Sequence, residues 1–172
     1  MMAPSWALAL AYWLHMLATV AWIGSLAALT WIVLPSARKS LDDRAYAALL
    51  EAMQGRLDSV GWFSLIILVL TGLVQMTTNP NYEGFLAVNN AWALAILVKH
   101  LTVLGMVGIS SYLTWGVYPR LRRLALLQAK LAGTSGDSGA LREAGTASTR
   151  LMGVNLLLSI LILAFTALAR AS

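Results

Sequence analysis

Residues 5–34 read SWALALAYWLHMLATVAWIGSLAALTWIVL, and Pro35 follows. No charged side chain interrupts the run. A membrane-spanning helix needs ~20 mostly apolar residues, because hydrocarbon offers no water to backbone N–H and C=O groups. This stretch satisfies the requirement alone. It lacks the basic leader of a secretory signal, and a signal core runs only about 7–15 residues, so it reads as retained.

Three further stretches have the same character. One runs from about 60 to 78 and ends at Asn79-Pro80-Asn81. Another starts after Asn89-Asn90, runs from 91 to 118 and meets Pro119. The last covers about 151–169. Asparagine caps helix starts, and proline cannot continue a helix. Span boundaries are therefore expected at these residues. The first and third stretches exceed one bilayer thickness and should tilt or protrude.

The whole composition agrees. Hydrophobic residues are 59% of the 172-residue chain and charged ones 11%, against about 45–50% and about 25% in soluble domains. Such a chain cannot cover a soluble surface. A soluble enzyme, a disordered chain and a disulfide scaffold are excluded. With no cysteine, disulfides, thiolate metal sites and cysteine nucleophiles are excluded together. The expected fold is all-α: one domain over 1–172, an up-down-up-down four-helix bundle in the cytoplasmic membrane.

Lysine and arginine orient it. Arg38, Lys39, Arg44 and Arg56 fall in the connection after the first span. Arg120, Arg122, Arg123, Lys130 and Arg142 fall in the connection after the third, with Arg150 at its edge. The N-terminal tail and the 79–90 loop carry none. The positive-inside rule places both long connections in the cytoplasm and both termini outside. The net charge of +5 is thus a topology signal, and no nucleic-acid partner is expected. Ser40 with Asp43 reads as a helix start. Leu41, Ala45, Leu49, Ala52 and Met53 continue it as a surface helix or as an extension of the second span. Residues 133–139 read as a flexible linker. No repeat of solenoid period is visible.

Ionisable groups inside a span are functional candidates, since their burial in lipid is costly. With the spans bounded as above, only His15, Lys99 and His100 qualify. No Asp or Glu falls within them, which excludes a carboxylate proton relay and a di-metal carboxylate site. His15 and His100 each lie about ten residues into a span running the same way. Both imidazoles are then ~14 Å below the outer surface. Diagonal helices of a bundle sit at a spacing that admits a metal between two imidazoles. Ala11, Ala18 and Thr19 leave room beside His15, and Trp22 lies two turns along the same face. Lys99 reads as a snorkelling lysine or as the partner of a propionate or anionic headgroup. Met76, near the outer end of the second span, is a candidate thioether for copper. Thr71, Asn155 and Ser159 read as interhelical hydrogen-bonding groups.

Residues Trp13-Leu14-His15-Met16-Leu17-Ala18-Thr19-Val20-Ala21-Trp22-Ile23-Gly24, closing at Leu34-Pro35, resemble the first-span signature of the copper resistance protein D family. Leu70-Thr71-Gly72-Leu73, and Leu97-Val98-Lys99-His100 leading to Tyr118-Pro119-Arg120-Leu121, resemble its next two spans. This resemblance reaches to about Arg123 and implies copper handling in the cytoplasmic membrane. His15 with Lys99 is also similar to the membrane protoporphyrinogen oxidases, which are haem-associated.

The expectation from the residues is one b-type haem with His15 and His100 as axial ligands. Ala11, Ala18, Thr19, Trp22 and Lys99 would line it. It would serve one-electron transfer or redox sensing, with a quinone or redox protein as partner. Copper handling is the alternative. A structural subunit of a homo-oligomer or larger complex is the third reading.

Overall fold

The computed structural model describes residues 4–84, 89–130 and 138–171. Most of these residues are helical, with no strand among them. Helix α1 (Ser5–Ala28) passes through a π-turn (Leu29–Val33) into α2 (Leu34–Ser40). Helix α3 covers Asp43–Thr77. Helix α4 (Ala91–Tyr112) passes through a second π-turn (Leu113–Val117) into α5 (Tyr118–Lys130). Helix α6 covers Ser138–Ala171. Four segments are long and apolar enough to cross a membrane: Ser5–Ser40, Arg56–Thr77, Ala91–Leu124 and Glu143–Ala171. Large side chains such as Trp13, Val20, Leu104 and Trp115 are exposed on them, as helices bathed in lipid require.

Pro35 and Pro119 do not end their helices as expected. A proline ring clashes with the carbonyl four residues back and offers no N–H. Those carbonyls belong to Trp31 and Trp115, which lie in the π-turns. The wider turn absorbs the misfit, and Pro35 then opens α2 at a position where its missing N–H is not needed. Asn90 caps α4 as the sequence suggested, its side chain accepting from Ala93 N–H at 2.7 Å. The cap of α3 is Asp42 rather than Ser40, accepting from Ala45 N–H at 2.7 Å. Residues 131–137, most of the expected linker, lie outside the described residues. Ser138 and Gly139 open α6 instead.

The segment after Leu41 is the extension of the second span, because α3 runs unbroken to Thr77. The span is therefore counted from Arg56. By length and composition that stretch takes in Asp58, a carboxylate two residues from its start.

Helix α1 packs along α3, and α4 along α6. Gln75 meets Ala11, Thr71 meets His15, and Gly61 faces Trp22. Rising numbers on α1 match falling numbers on α3, so this hairpin is antiparallel. Asn155 with Ser110 and Ser159 with Met106 show the same for α4 and α6.

The two hairpins are copies in outline, offset by 84 residues. Leu29-Thr30-Trp31-Ile32-Val33-Leu34-Pro35 recurs as Leu113-Thr114-Trp115-Gly116-Val117-Tyr118-Pro119. Gly24, Gly61 and Ser64 recur as Gly108, Gly145 and Ser148. Parallel repeats of this kind are a common way to build membrane bundles. One buried core joins both π-turns, through Leu29, Leu34, Leu113 and Val117, to Tyr46, Leu50 and Met152. This is the basic end. A smaller core of Met76, Trp92 and Ala93 closes the opposite, loop end. There the Arg170 guanidinium stacks 4.9 Å from the Tyr12 ring centre, bringing the first and last helices together.

Candidate functional site

His15 sits half-buried between α1 and α3, with Nδ1 2.8 Å from Thr71 Oγ1. Thr71 is buried, and its hydroxyl donates to Ile67 O at 2.6 Å. A hydroxyl has one proton, so towards His15 it acts as acceptor. With Thr71 accepting from Nδ1–H, the lone pair is left on Nε2. Metal-binding histidines are commonly oriented by such a bond from the second nitrogen.

The rest of the hairpin makes room for the ring. A Cβ on Gly72 would lie 3.5 Å from His15 Cε1. Ala11 and Ala18 are buried against the neighbouring helices. The Thr19 hydroxyl returns to His15 O at 2.7 Å, so it serves α1 itself. Gln75 Nε2 donates to Ala11 O at 3.3 Å. Trp22 packs across Gly61, further toward the basic end.

From the third span, Lys99 lies within electrostatic reach of His15, and Arg170 within reach of Lys99. His100 is exposed on α4, with Nδ1 donating to Ile96 O at 2.7 Å. Consecutive helical residues point ~100° apart. The structure thus groups His15 with Lys99 on the inner side and leaves His100 on the outer surface of α4. The expected pairing of the two histidines across a shared interior is not the arrangement found. Among the described residues, no three His, Cys, Asp or Glu side chains cluster into a metal cage. Any metal at His15 has one imidazole there and must take softer or neutral donors besides.

A family model for copper resistance protein D matches residues 51–169. The chain belongs to the copper resistance protein D family. The match takes in the second, third and fourth spans, whereas the first-span signature around His15 lies ahead of it. No curated protein and no solved structure matches. Members of the copper resistance protein D family are multi-pass membrane proteins, and the four spans here agree with that.

A second polar feature lies at the basic end and was missed in the sequence. A cavity of about 90 Å³ opens between the hairpins, lined among others by Trp22, Asp58, Trp62, Ser110, Thr114 and Asn155. Thr114 donates to Asp58 Oδ1 at 3.1 Å. Asn155, 1% exposed, donates through Nδ2 to Ser110 Oγ at 2.9 Å. Asn155 Oδ1 is buried without a hydrogen-bond partner. The interhelical bond was expected of Asn155; the unused oxygen was not. The available signal was the uninterrupted helical pattern from Asp43 onward, which carries Asp58 into the span.

Proposed function

We propose that the protein handles copper within the membrane and that His15 Nε2 is the ligand through which it does so. Membership of the copper resistance protein D family supplies the cargo class. The observation that carries the residue assignment is the Ile67–Thr71–His15 chain of hydrogen bonds, which leaves Nε2 able to bind a metal. Lys99 nearby opposes a divalent ion about twice as strongly as a monovalent one. Together with the absence of a carboxylate cage, this favours the cuprous ion. Cuprous copper accepts imidazole and thioether. Met76, buried at the loop end, is a thioether on the side of the expected outer mouth.

Purified protein should bind cuprous ion in competition with a chromophoric chelator, and His15→Ala should lose that binding. Binding unchanged in His15→Ala would remove the histidine from the path.

A b-type haem in electron transfer or redox sensing is the second reading. Lys99 and Arg170 near His15 favour it, since both suit propionates. His100 on the outer surface disfavours axial ligation by both histidines. An absorption spectrum separates the two readings, because haem gives a Soret band and cuprous ion gives none.

A further inference from the structure

Of the twelve Lys and Arg residues, ten belong to the two basic connections and their edges. The other two are Lys99 and Arg170, and the fold brings them together at the opposite end. Ala169 and Ile96 both pack against the core of Met76, Trp92 and Ala93. Lys99 follows Ile96 by three residues, on the same helical face, and Arg170 follows Ala169. The two charges fall within electrostatic reach of each other. Arg170 is the last residue but one of α6, and an arginine there can extend to the membrane surface. Its guanidinium instead lies over the Tyr12 ring of α1, 4.9 Å from the centre. Like charges held together away from water repel strongly. A carboxylate between them would account for the arrangement, but Glu83 is the one Asp or Glu side chain at that end. It is exposed in the loop and accepts from Asn89 Nδ2 at 2.9 Å. Among the described residues, no acid faces the pair.

The pair calls for an anion, and the donors name its class. A guanidinium is a planar fork that fits two oxygens of a phosphate or carboxylate, and stacking on an aromatic ring holds the fork in one orientation. The ammonium beside it adds a point charge with three donors. A lysine partway into a span extends its stem toward the headgroups, and basic pockets between membrane helices hold lipid head groups. We propose that Lys99 and Arg170, between α1, α4 and α6, bind a phosphate oxyanion, supplied by the headgroup of an anionic phospholipid in the leaflet at the loop end. Soluble phosphate would use the same donors. The site stands or falls without the copper reading.

The full chain, purified and delipidated in a neutral detergent, is titrated with phosphatidylglycerol, phosphatidylcholine or inorganic phosphate at constant ionic strength. Native mass spectrometry counts the bound molecules, and melting temperature is followed alongside. Phosphatidylglycerol should fill one saturable site and raise the melting temperature, and phosphatidylcholine should bind at least tenfold more weakly. Lys99→Gln and Arg170→Gln should each weaken phosphatidylglycerol about tenfold or more, as the loss of a charge-assisted contact implies. Arg170→Lys keeps the charge without the fork and should fall between, which tests the site even where a Gln variant fails to fold. Without lipid, both Gln variants should melt no lower than the native protein, because a like-charge repulsion has been removed. Saturable binding of inorganic phosphate, with the same dependence on Lys99 and Arg170 and no preference for phosphatidylglycerol, keeps the site and makes its source soluble. Equal phosphatidylglycerol binding by the native protein and both Gln variants overturns the proposal. So does the absence of saturable binding from either phosphate source, which would leave the Arg170–Tyr12 stack a purely structural contact.

Discussion

His15 and Lys99 occupy the same position in the two halves of the chain, each fourteen residues ahead of the leucine that opens a π-turn. Thr71, bonded to His15, falls at the position of Asn155 in the second half, whose amide bonds Ser110 instead. The repeat explains why Lys99, rather than His100, shares the interior with His15. It also puts an imidazole on one hairpin where its copy has an amine. The two halves have kept the scaffold and diverged in chemistry.

The Thr71 hydroxyl sets the His15 tautomer, so its removal should act on binding more than on folding. Thr71→Val keeps the volume and loses the acceptor. Partners that orient a metal ligand are typically worth about 10–100-fold in metal affinity. Thr71→Val should weaken cuprous binding by roughly that factor, and Thr71→Ser should restore most of it. Chelator competition on the three proteins measures this. Equal affinities across them would mean that Thr71 does not orient the ligand.

Gly72 gives a steric test of the same site. A Cβ there would meet His15 Cε1 at 3.5 Å, an ordinary contact. Gly72→Ala should therefore bind copper nearly as the native protein does. Gly72→Leu must push the ring off Thr71 and should lower the affinity about as far as Thr71→Val does. A native-like affinity in Gly72→Leu would place the copper ligand elsewhere.

Three single variants separate copper from haem. His15→Ala should abolish cuprous binding, His100→Ala should retain it, and Lys99→Ala should retain or strengthen it by removing a nearby positive charge. The native protein, supplied with haem during expression, should show no Soret band. A low-spin haem spectrum lost in both histidine variants would restore ligation by His15 and His100 and sink the copper assignment.

The spans and the helical class were legible because charge is so nearly absent from the four stretches. Boundaries were not, because proline was read as a stop and the π-turns that accommodate it leave no compositional mark. Counting the second span from Val60 leaves Asp58, a carboxylate in the wall of the basic-end cavity, just ahead of it. His15, Ala11, Ala18 and Thr19 could be placed on one face from spacing alone. Counting residues from the span edges pairs His15 with His100. Counting from the recurring Leu-Thr-Trp turn gives Lys99 instead, but few residues besides that turn match between the halves. Asn155 carried no sequence mark beyond being polar in an apolar helix.

The orientation of the bundle decides which site faces which compartment. Arg38, Lys39, Arg120, Arg122 and Arg123 all lie at the end where the π-turns and the cavity are, and the 79–90 loop carries no Lys or Arg. Translocation disfavours loops rich in Lys and Arg, so the basic end should stay in the cytoplasm. A reporter active only outside the cytoplasm should work when fused after Ser172 and fail when inserted near Gly136. A reporter active only inside should show the reverse. In that orientation the proposed copper path reaches His15 from outside, and the cavity lies toward the cytoplasm. The opposite pattern at both positions would invert this path and turn the cavity toward the outside. Replacing Arg120, Arg122 and Arg123 together with Gln should weaken the bias and produce mixed orientation in the same assay. An unchanged pattern in that triple variant would assign the orientation to the first connection, through Arg38 and Lys39.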